Sequence, residues 1–369
     1  MDSIYFKDAK QFYKEMATQV SDVSTNKHTL FYNADMPVSY ELSYITMLLD
    51  EITKFMFAQS ACDNGYSEYL TRKCADLGVD RKLAQSATGT IKVTGRVNSK
   101  LPAESMVSTV EGVVFITDTD LVIDSTGVGY VTITAKEKGS KYNVEANTIT
   151  TFPLKYSGII SITNEEKIVN GYDEESDYDL LERYLFKIRT TATSGNANHY
   201  KIWATEVNGV GKCKVFETTN EKGEEQNGHV LVIITDSNKR KASEELLTAC
   251  YNHIEDERPV NAKVHVISAG EVPLNISATI YFDSTQYSLE DIKKKISNSI
   301  TNYLKEKAFS ETDKSTYVSY NKIGSIISDT VEVEDYDALL INGGTSRINI
   351  KNTEIPVLGT LEITEGTLS

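Results

Sequence analysis

Over residues 41–58, apolar side chains recur at Leu42, Ile45, Leu49, Ile52 and Met56, in alternating steps of three and four, with Leu48 and Phe55 widening the stripe. That is the period of an α-helix with one apolar face. A second helix is expected over residues 67–77, where Tyr66, Leu70, Cys74 and Leu77 share a side and Gly78 stands at a C-terminal cap position. Two or three short helices make a thin core by themselves. Residues 1–85 therefore read either as a self-contained helical cap or as helices that complete their core with helices of partner chains.

At Thr88 the period changes to two. Thr90, Ile91, Lys92, Val93 and Thr94 alternate polar and apolar, as a half-buried strand does, and further strand-like runs follow at 112–117, 129–135 and 158–163. Asn98, Pro102, Gly127, Gly139 and Asn143 punctuate them. This segment reads as a small all-β domain. Near Gly171 the pattern changes again: Ser176 precedes an acidic first turn with Asp177 and Asp179, and Leu181, Tyr184, Leu185 and Ile188 then share a face. Tyr200, Trp203, Ala204 and Val207 repeat at helical spacing. The run 229–235 is nearly all β-branched or leucine and predicts a strand buried on both faces. Helical periodicity over 242–256 and a strand over 263–268 complete an α+β module. The same order recurs with a strand at 274–282 and a helix over 289–304, followed by short strands.

The expected fold is thus multidomain α+β: an N-terminal helical bundle segment (1–85), a small all-β domain (86–165) and two α+β modules (166–270 and 271–369). Lys and Arg number 38 against 53 Asp and Glu, a net charge of −15, which opposes attraction to phosphate backbones, so nucleic acid is not an expected partner. No run of about 18 apolar residues is present to span a membrane, and residues 1–14 carry acids and aromatics where a signal peptide needs a basic start and an apolar run. Cys62, Cys74, Cys213 and Cys250 are widely spaced, with no CxxC pair, and read as reduced core thiols; disulfides are the alternative.

Chemistry is sparse. Phosphate loops, dinucleotide fingerprints, nucleophile elbows and HExxH are all missing, and neither a metal set nor a cofactor site is expected. The acidic pairs Glu174 with Glu175 and Asp177 with Asp179 suit a helix N-terminus. His199 beside Tyr200 and Trp203 is the most enzyme-like cluster, yet the two aromatics fall on an apolar helix face, which points to a core role. The turns at Gly209 and Gly211 and at Asn342, Gly343 and Gly344 read as tight connections.

Read in order, several segments resemble the baseplate J-like family of contractile phage tails and phage-derived tail particles. They are Ala87-Thr88-Gly89-Thr90, Gly112-Val113-Val114-Phe115, Gly171-Tyr172-Asp173-Glu174-Glu175-Ser176-Asp177 and Thr193-Ser194-Gly195-Asn196-Ala197 with His199 and Tyr200. Trp203-Ala204, Val207-Asn208-Gly209-Val210-Gly211, Arg258-Pro259-Val260-Asn261-Ala262, Ile341-Asn342-Gly343-Gly344 and Ile355-Pro356-Val357-Leu358-Gly359 follow. The acidic pair at 174–175, and Asn208 where the family commonly has proline, are departures.

The resemblance implies a structural baseplate wedge subunit of a phage tail or tail-like bacteriocin. It would link hub, sheath and fibres and rearrange when the sheath is triggered. It implies two copies of the chain with one tail protein I-like partner sharing a helix bundle. Sheath-initiator and hub proteins, neighbouring wedges and tail fibres are the further partners, and C-terminal modules join wedges into a ring. Its place would be the baseplate of an extracellular particle assembled in the bacterial cytoplasm. The stripe Leu42 to Met56 is the bundle candidate on both grounds. Two other readings remain open: a receptor- or polysaccharide-binding tail protein, for which the 21 tyrosines speak, and a tail-borne glycan hydrolase, which would need a carboxylate pair in a cleft.

Overall fold

The computed structural model describes residues 3–190, 195–309 and 316–366. The chain divides into two compact units, Met1–Arg81 with Glu175–Arg189, and Lys82–Glu174 with Thr190–Ser369. The architecture is mixed α+β.

The first unit is helical: α1 (Ala9–Ala17), α2 (Leu30–Met56), α3 (Ala58–Asp63), α4 (Ser67–Ala75) and α5 (Asp177–Arg189). Periodicity placed the start of α2 near Glu41, but the helix begins at Leu30, where Thr29 caps it by accepting from the Tyr32 amide, and it runs through Pro37. Proline in a helix interior usually marks a boundary. Here Met36 and Ser39, on either side of it, are buried, and that packing carries the helix past the missing donor. Helix α4 ends in a Schellman motif: Gly78 has φ 67°, and the amides of Val79 and Gly78 donate to the carbonyls of Cys74 and Ala75. Leu77, expected on the buried side, is exposed because the helix has already ended at Ala75.

The core of this unit is Ala58, Ala61, Leu70, Cys74 and Val79 packed against Leu180, Leu181 and Tyr184 of α5. Burial raises the Cys74 thiol to about 11, which keeps it a protonated core group. Ser176 caps α5 by accepting from the Asp179 amide at 3.1 Å. Two ion pairs hold α5 in place. The Arg81 guanidinium reaches Asp177 at 2.5 Å, Thr71 at 2.8 Å and the Glu175 carbonyl at 2.7 Å. Arg183 grips the Glu175 carboxylate through two nitrogens, at 2.6 and 2.8 Å.

The second unit opens with short strands: β1 (Ser86–Gly95), β2 (Lys100–Leu101), β3 (Met106–Thr109), β4 (Val114–Thr117), β5 (Leu121–Val122), β6 (Val128–Lys138), β7 (Ile149–Thr151) and β8 (Ile159–Thr163). Six of them form an antiparallel sheet in the order β7-β3-β4-β6-β1-β8. Ile91, Val93, Phe115, Val131, Ile133, Ile149 and Ile162 fill its interior, so the alternation read along β1 is the inside and outside of a barrel. The barrel is nearly closed, and one side chain spans the seam between edges β7 and β8. Asn164, fully buried, accepts from the amides of Thr148 and Ile149 at 3.0 and 2.9 Å and donates to the carbonyls of Glu145 and Glu166 at 2.8 and 2.9 Å.

After the barrel come α6 (Ala197–Glu206), β9 (Val210–Thr219), β10 (Glu225–Asp236), α7 (Glu244–Glu257) and β11 (Lys263–Ser268). The sheet order is β11-β10-β9, with β10 and β11 parallel across α7 and β9 antiparallel. Both faces of β10 are covered: Val232 and Ile234 join the core beneath α6 and α7, while Leu231 and Ile233 pack against Ala308, Ile355 and Val357. The last part is β12 (Gly270–Tyr281), α8 (Leu289–Lys307), β13 (Thr316–Val318), α9 (Tyr320–Ser328), β14 (Asp335–Ile341), β15 (Ile348–Ile350) and β16 (Glu354–Glu365). Its main sheet is β14-β12-β16, and Ile292, Ile296 and Ile300 of α8 lie on the core of that sheet.

Candidate assembly interface

Helix α2 has 27 residues, a rod of about 40 Å at 1.5 Å per residue. Of these, only Met36 and Ser39 are buried. At roughly 100° per residue, Ile45, Leu49, Ile52 and Met56 fall within about 60° of one another, and they are 50, 43, 43 and 48% exposed. Leu42 beside them is half-buried, and Val38 continues the stripe toward the N-terminus. Tyr40, Tyr44, Met47 and Leu48 extend the exposed apolar surface around one flank. Phe55, which the pattern had joined to the stripe, instead stacks on Tyr69 at 4.3 Å and meets Tyr66 edge-on, rooting the helix in its own unit.

The opposite side of α2 is where its own chain returns. The Asp50 carboxylate accepts from the Ser3 hydroxyl and from the amides of Ile4, Tyr5 and Phe6, at 2.7 to 3.0 Å. These bonds, the Ser3 hydroxyl first, hold its carboxyl at about 2. Because that value is depressed, what the strap adds to stability is present above the ordinary carboxylate range and is lost as the pH falls toward about 2. Thr46, on the same side, accepts from the Lys7 amide. The apolar stripe thus points away from the contacts that fasten the helix to its own chain. Each half-exposed Leu or Ile covered by a partner adds about 1 kcal/mol.

The remaining positions singled out in the sequence do backbone and core work. Gly171 exchanges two hydrogen bonds with the Asn143 side chain, and Asp173 accepts from the amide and hydroxyl of Ser140, so both fix the exit from the barrel. Asn196 caps α6 by accepting from the His199 amide at 3.0 Å. Gly195 faces Pro259, leaving 3.1 Å for an added Cβ. Thr193 and Ser194 lie outside the described residues. Tyr200 and Trp203 are buried edge to face, with the His199 ring stacked on Trp203 at 4.6 Å. Arg258 binds Glu255 and the carbonyls of Pro259, Val260 and Ala262, tying off the loop before β11.

Asn342 and Gly343 take φ 50° and 74° in a turn closed by the Gly344 amide on the Ile341 carbonyl, as a type I′ turn requires. The Asn342 side chain also accepts from the Asn275 amide at 2.8 Å, which locks the turn to β12. Gly211 leaves 2.1 Å between an added Cβ and the Asp236 carbonyl. Gly209 has φ 93° and its Cβ position lies 2.8 Å from the Tyr172 ring. Gly209→Ala is therefore expected to lower stability by about 2 kcal/mol, read as a fall in thermal midpoint of the whole chain.

One further pair carries no local signal along the chain: His229 Nδ1 and His265 Nε2 meet at 2.8 Å across β10 and β11. Among the described residues no group of three or more His, Cys, Asp or Glu is placed to hold a metal ion, and no helix is long and apolar enough to cross a membrane.

Three family models match consecutive stretches: the baseplate J-like protein barrel domain over residues 90–171, the baseplate J-like central domain over 192–268 and the baseplate J-like protein C-terminal domain over 274–364. The chain belongs to the baseplate J-like family. The three spans follow the barrel, the sheet around β10 and the sheet around β12. None includes the helical unit, so α2 and its stripe lie outside what the baseplate J-like models describe.

Among curated relatives, the phage-like element PBSX protein XkdT of Bacillus subtilis (strain 168) is 28% identical over 355 residues, covering 94% of each chain. Baseplate protein gp47 of Escherichia phage Mu is 32% identical over 150 residues, 40% of this chain and 42% of that protein. A cryo-EM structure of the anti-feeding prophage baseplate overlaps 96% of this chain and 90% of its own at 11% identity, with a TM-score of 0.38, too low to add to the assignment.

Proposed function

We propose that this baseplate J-like protein is a structural baseplate subunit whose α2 stripe joins a helix bundle shared between chains. The observation that carries the reading is a row of Ile45, Leu49, Ile52 and Met56 that the helix's own chain leaves half-exposed. A soluble chain that presents such a row along a 27-residue helix marks a contact for another protein. The relatives support a baseplate setting, XkdT through its phage-like element and gp47 through its name.

In this reading the wedge comprises two copies of the chain and one tail protein I-like partner. The modules from residue 271 onward meet neighbouring wedges in a ring, and hub, sheath-initiator and fibre proteins are the outer contacts. The particle is a phage tail or a tail-like bacteriocin, and the protein acts by holding and exchanging contacts rather than by catalysis. Rearrangement on triggering needs interfaces with two arrangements a few kcal/mol apart.

Light scattering after size exclusion, on the chain alone and co-expressed with neighbouring tail proteins, tests the stoichiometry. A two-to-one complex is expected; a chain that stays monomeric beside every tail partner overturns the reading. The double substitution Leu49→Asp, Ile52→Asp tests the surface. Both side chains are half-exposed and a carboxylate there can reach water, so the monomer should nearly keep its thermal midpoint while assembly is lost, because each carboxylate would sit unpaired in the bundle at a cost of several kcal/mol.

A further inference from the structure

Asp236 ends β10 and is 7% exposed. Its carboxylate accepts the Arg240 amide at 2.7 Å, and the backbone turn around it is closed by the Asp236 amide on the Arg240 carbonyl. The cation of that turn is directed elsewhere. The Arg240 guanidinium reaches Glu271 of β12 through Nε at 2.7 Å and a second nitrogen at 3.3 Å, and the Lys241 amide adds a third bond to the same carboxylate at 2.9 Å. Asp236 thus holds the amide of the residue whose guanidinium is held by Glu271, a carboxylate on a different sheet.

We propose that Asp236, Arg240 and Glu271 form a proton-sensitive latch between the turn after β10 and the start of β12. With Asp236 neutral, Arg240 belongs wholly to Glu271 and the tie between the two sheets is at its tightest. With Asp236 ionised, a buried negative charge repels Glu271 and draws on the same guanidinium, and the tie slackens. The groups facing Asp236 are Arg240 in its own turn, Glu271 of β12 and Tyr172 of the segment leaving the barrel, which Glu245 of α7 also faces.

Burial, aided by Glu271, lifts the Asp236 carboxyl to about 6, against the opposing effect of the backbone amides of Arg240 and Asn238 and of the Arg240 charge. At Glu271 burial is outweighed by the bonds from Arg240 and Lys241, which hold its carboxyl below the ordinary range. The sign follows from the raised value. The latch's contribution is fully present below the ordinary 3.8 and is lost as the pH rises through about 6. Acidification tightens it.

The experiment uses the full chain. The carboxyl 13C resonance of Asp236 should titrate near 6 in the wild type. In Glu271→Gln, which frees Arg240 to turn to Asp236, the midpoint should move down by a unit or more, on the order of one charge pair. The urea midpoint gives a second readout. Asp236→Asn, permanently neutral, should exceed the wild type by clearly more at about pH 7.5 than at about pH 5, and the two should converge only as the pH falls below the ordinary 3.8. An Asp236 midpoint in the ordinary carboxylate range, or an Asp236→Asn difference that is the same at both pH values, overturns the latch.

Discussion

Asn164→Leu is expected to cost about 4 kcal/mol, a large part of the stability of an ordinary domain. One side chain uses both its acceptor lone pairs and both its donors on four backbone groups, two from residues 148 and 149 and two from 145 and 166. These groups line the place where edges β7 and β8 face each other without a ladder of their own. Leucine matches the branched shape but strands them, and a buried amide or carbonyl left without a partner loses about 1–3 kcal/mol. Urea unfolding followed by circular dichroism gives the number. A loss under about 1 kcal/mol would mean that water replaces the amide and that the seam does not depend on it.

Arg81→Met should destabilise the helical unit by about 3–5 kcal/mol, the range found when one partner of a buried ion pair is removed. The Arg81 side chain is 7% exposed and that of Asp177 is 27%, so solvent screens the pair little. The substitution removes the Asp177 contact and the bonds to Thr71 and the Glu175 carbonyl together. Asp177 keeps the Ser67 hydroxyl at 2.7 Å but loses its cation. Because α5 supplies Leu180, Leu181 and Tyr184 to the core of that unit, its release should expose Leu70 and Cys74 as well. Limited proteolysis, read at the peptide bonds around α5, is the direct assay. Cleavage no faster than in the wild type would show that apolar packing alone retains the helix. The same variant tests assembly indirectly, since the unit that carries α2 would lose its base.

These two sites lie in the part of the fold that the pattern of residues does not disclose. The period-two run at Thr90–Thr94 and the apolar runs after it announce strands, and their inward residues Ile91 and Val93 sit in the barrel interior as the alternation requires. Nothing in that alternation says that the sheet curls until its edges meet, because closure depends on how strands far apart in sequence are ordered. Asn164 is one more polar residue in a turn-like stretch until β7 and β8 are brought to either side of it. In the same way Ser176 and Asp177 predict a helix start, and α5 begins there. The partner of that helix, some hundred residues earlier, follows from Arg81 and from no local signal.

The sequence by itself determined the succession of helical, all-β and α+β segments, the two-faced burial of β10, the apolar stripe of α2 and, through the order of its motifs, the baseplate J-like family. Those features follow from local period and residue type, which act over a few residues and survive without knowledge of the rest of the chain. Only the tertiary structure decided that α5 packs with the N-terminal helices, that Asn164 spans the barrel seam, that Phe55 turns inward while Ile45, Leu49, Ile52 and Met56 stay open, and that Glu271 takes the guanidinium of Arg240 while Asp236 holds its amide. Each of these is a meeting of residues distant in sequence, and which distant groups meet is set by how the whole chain buries its apolar surface, a quantity no local window contains.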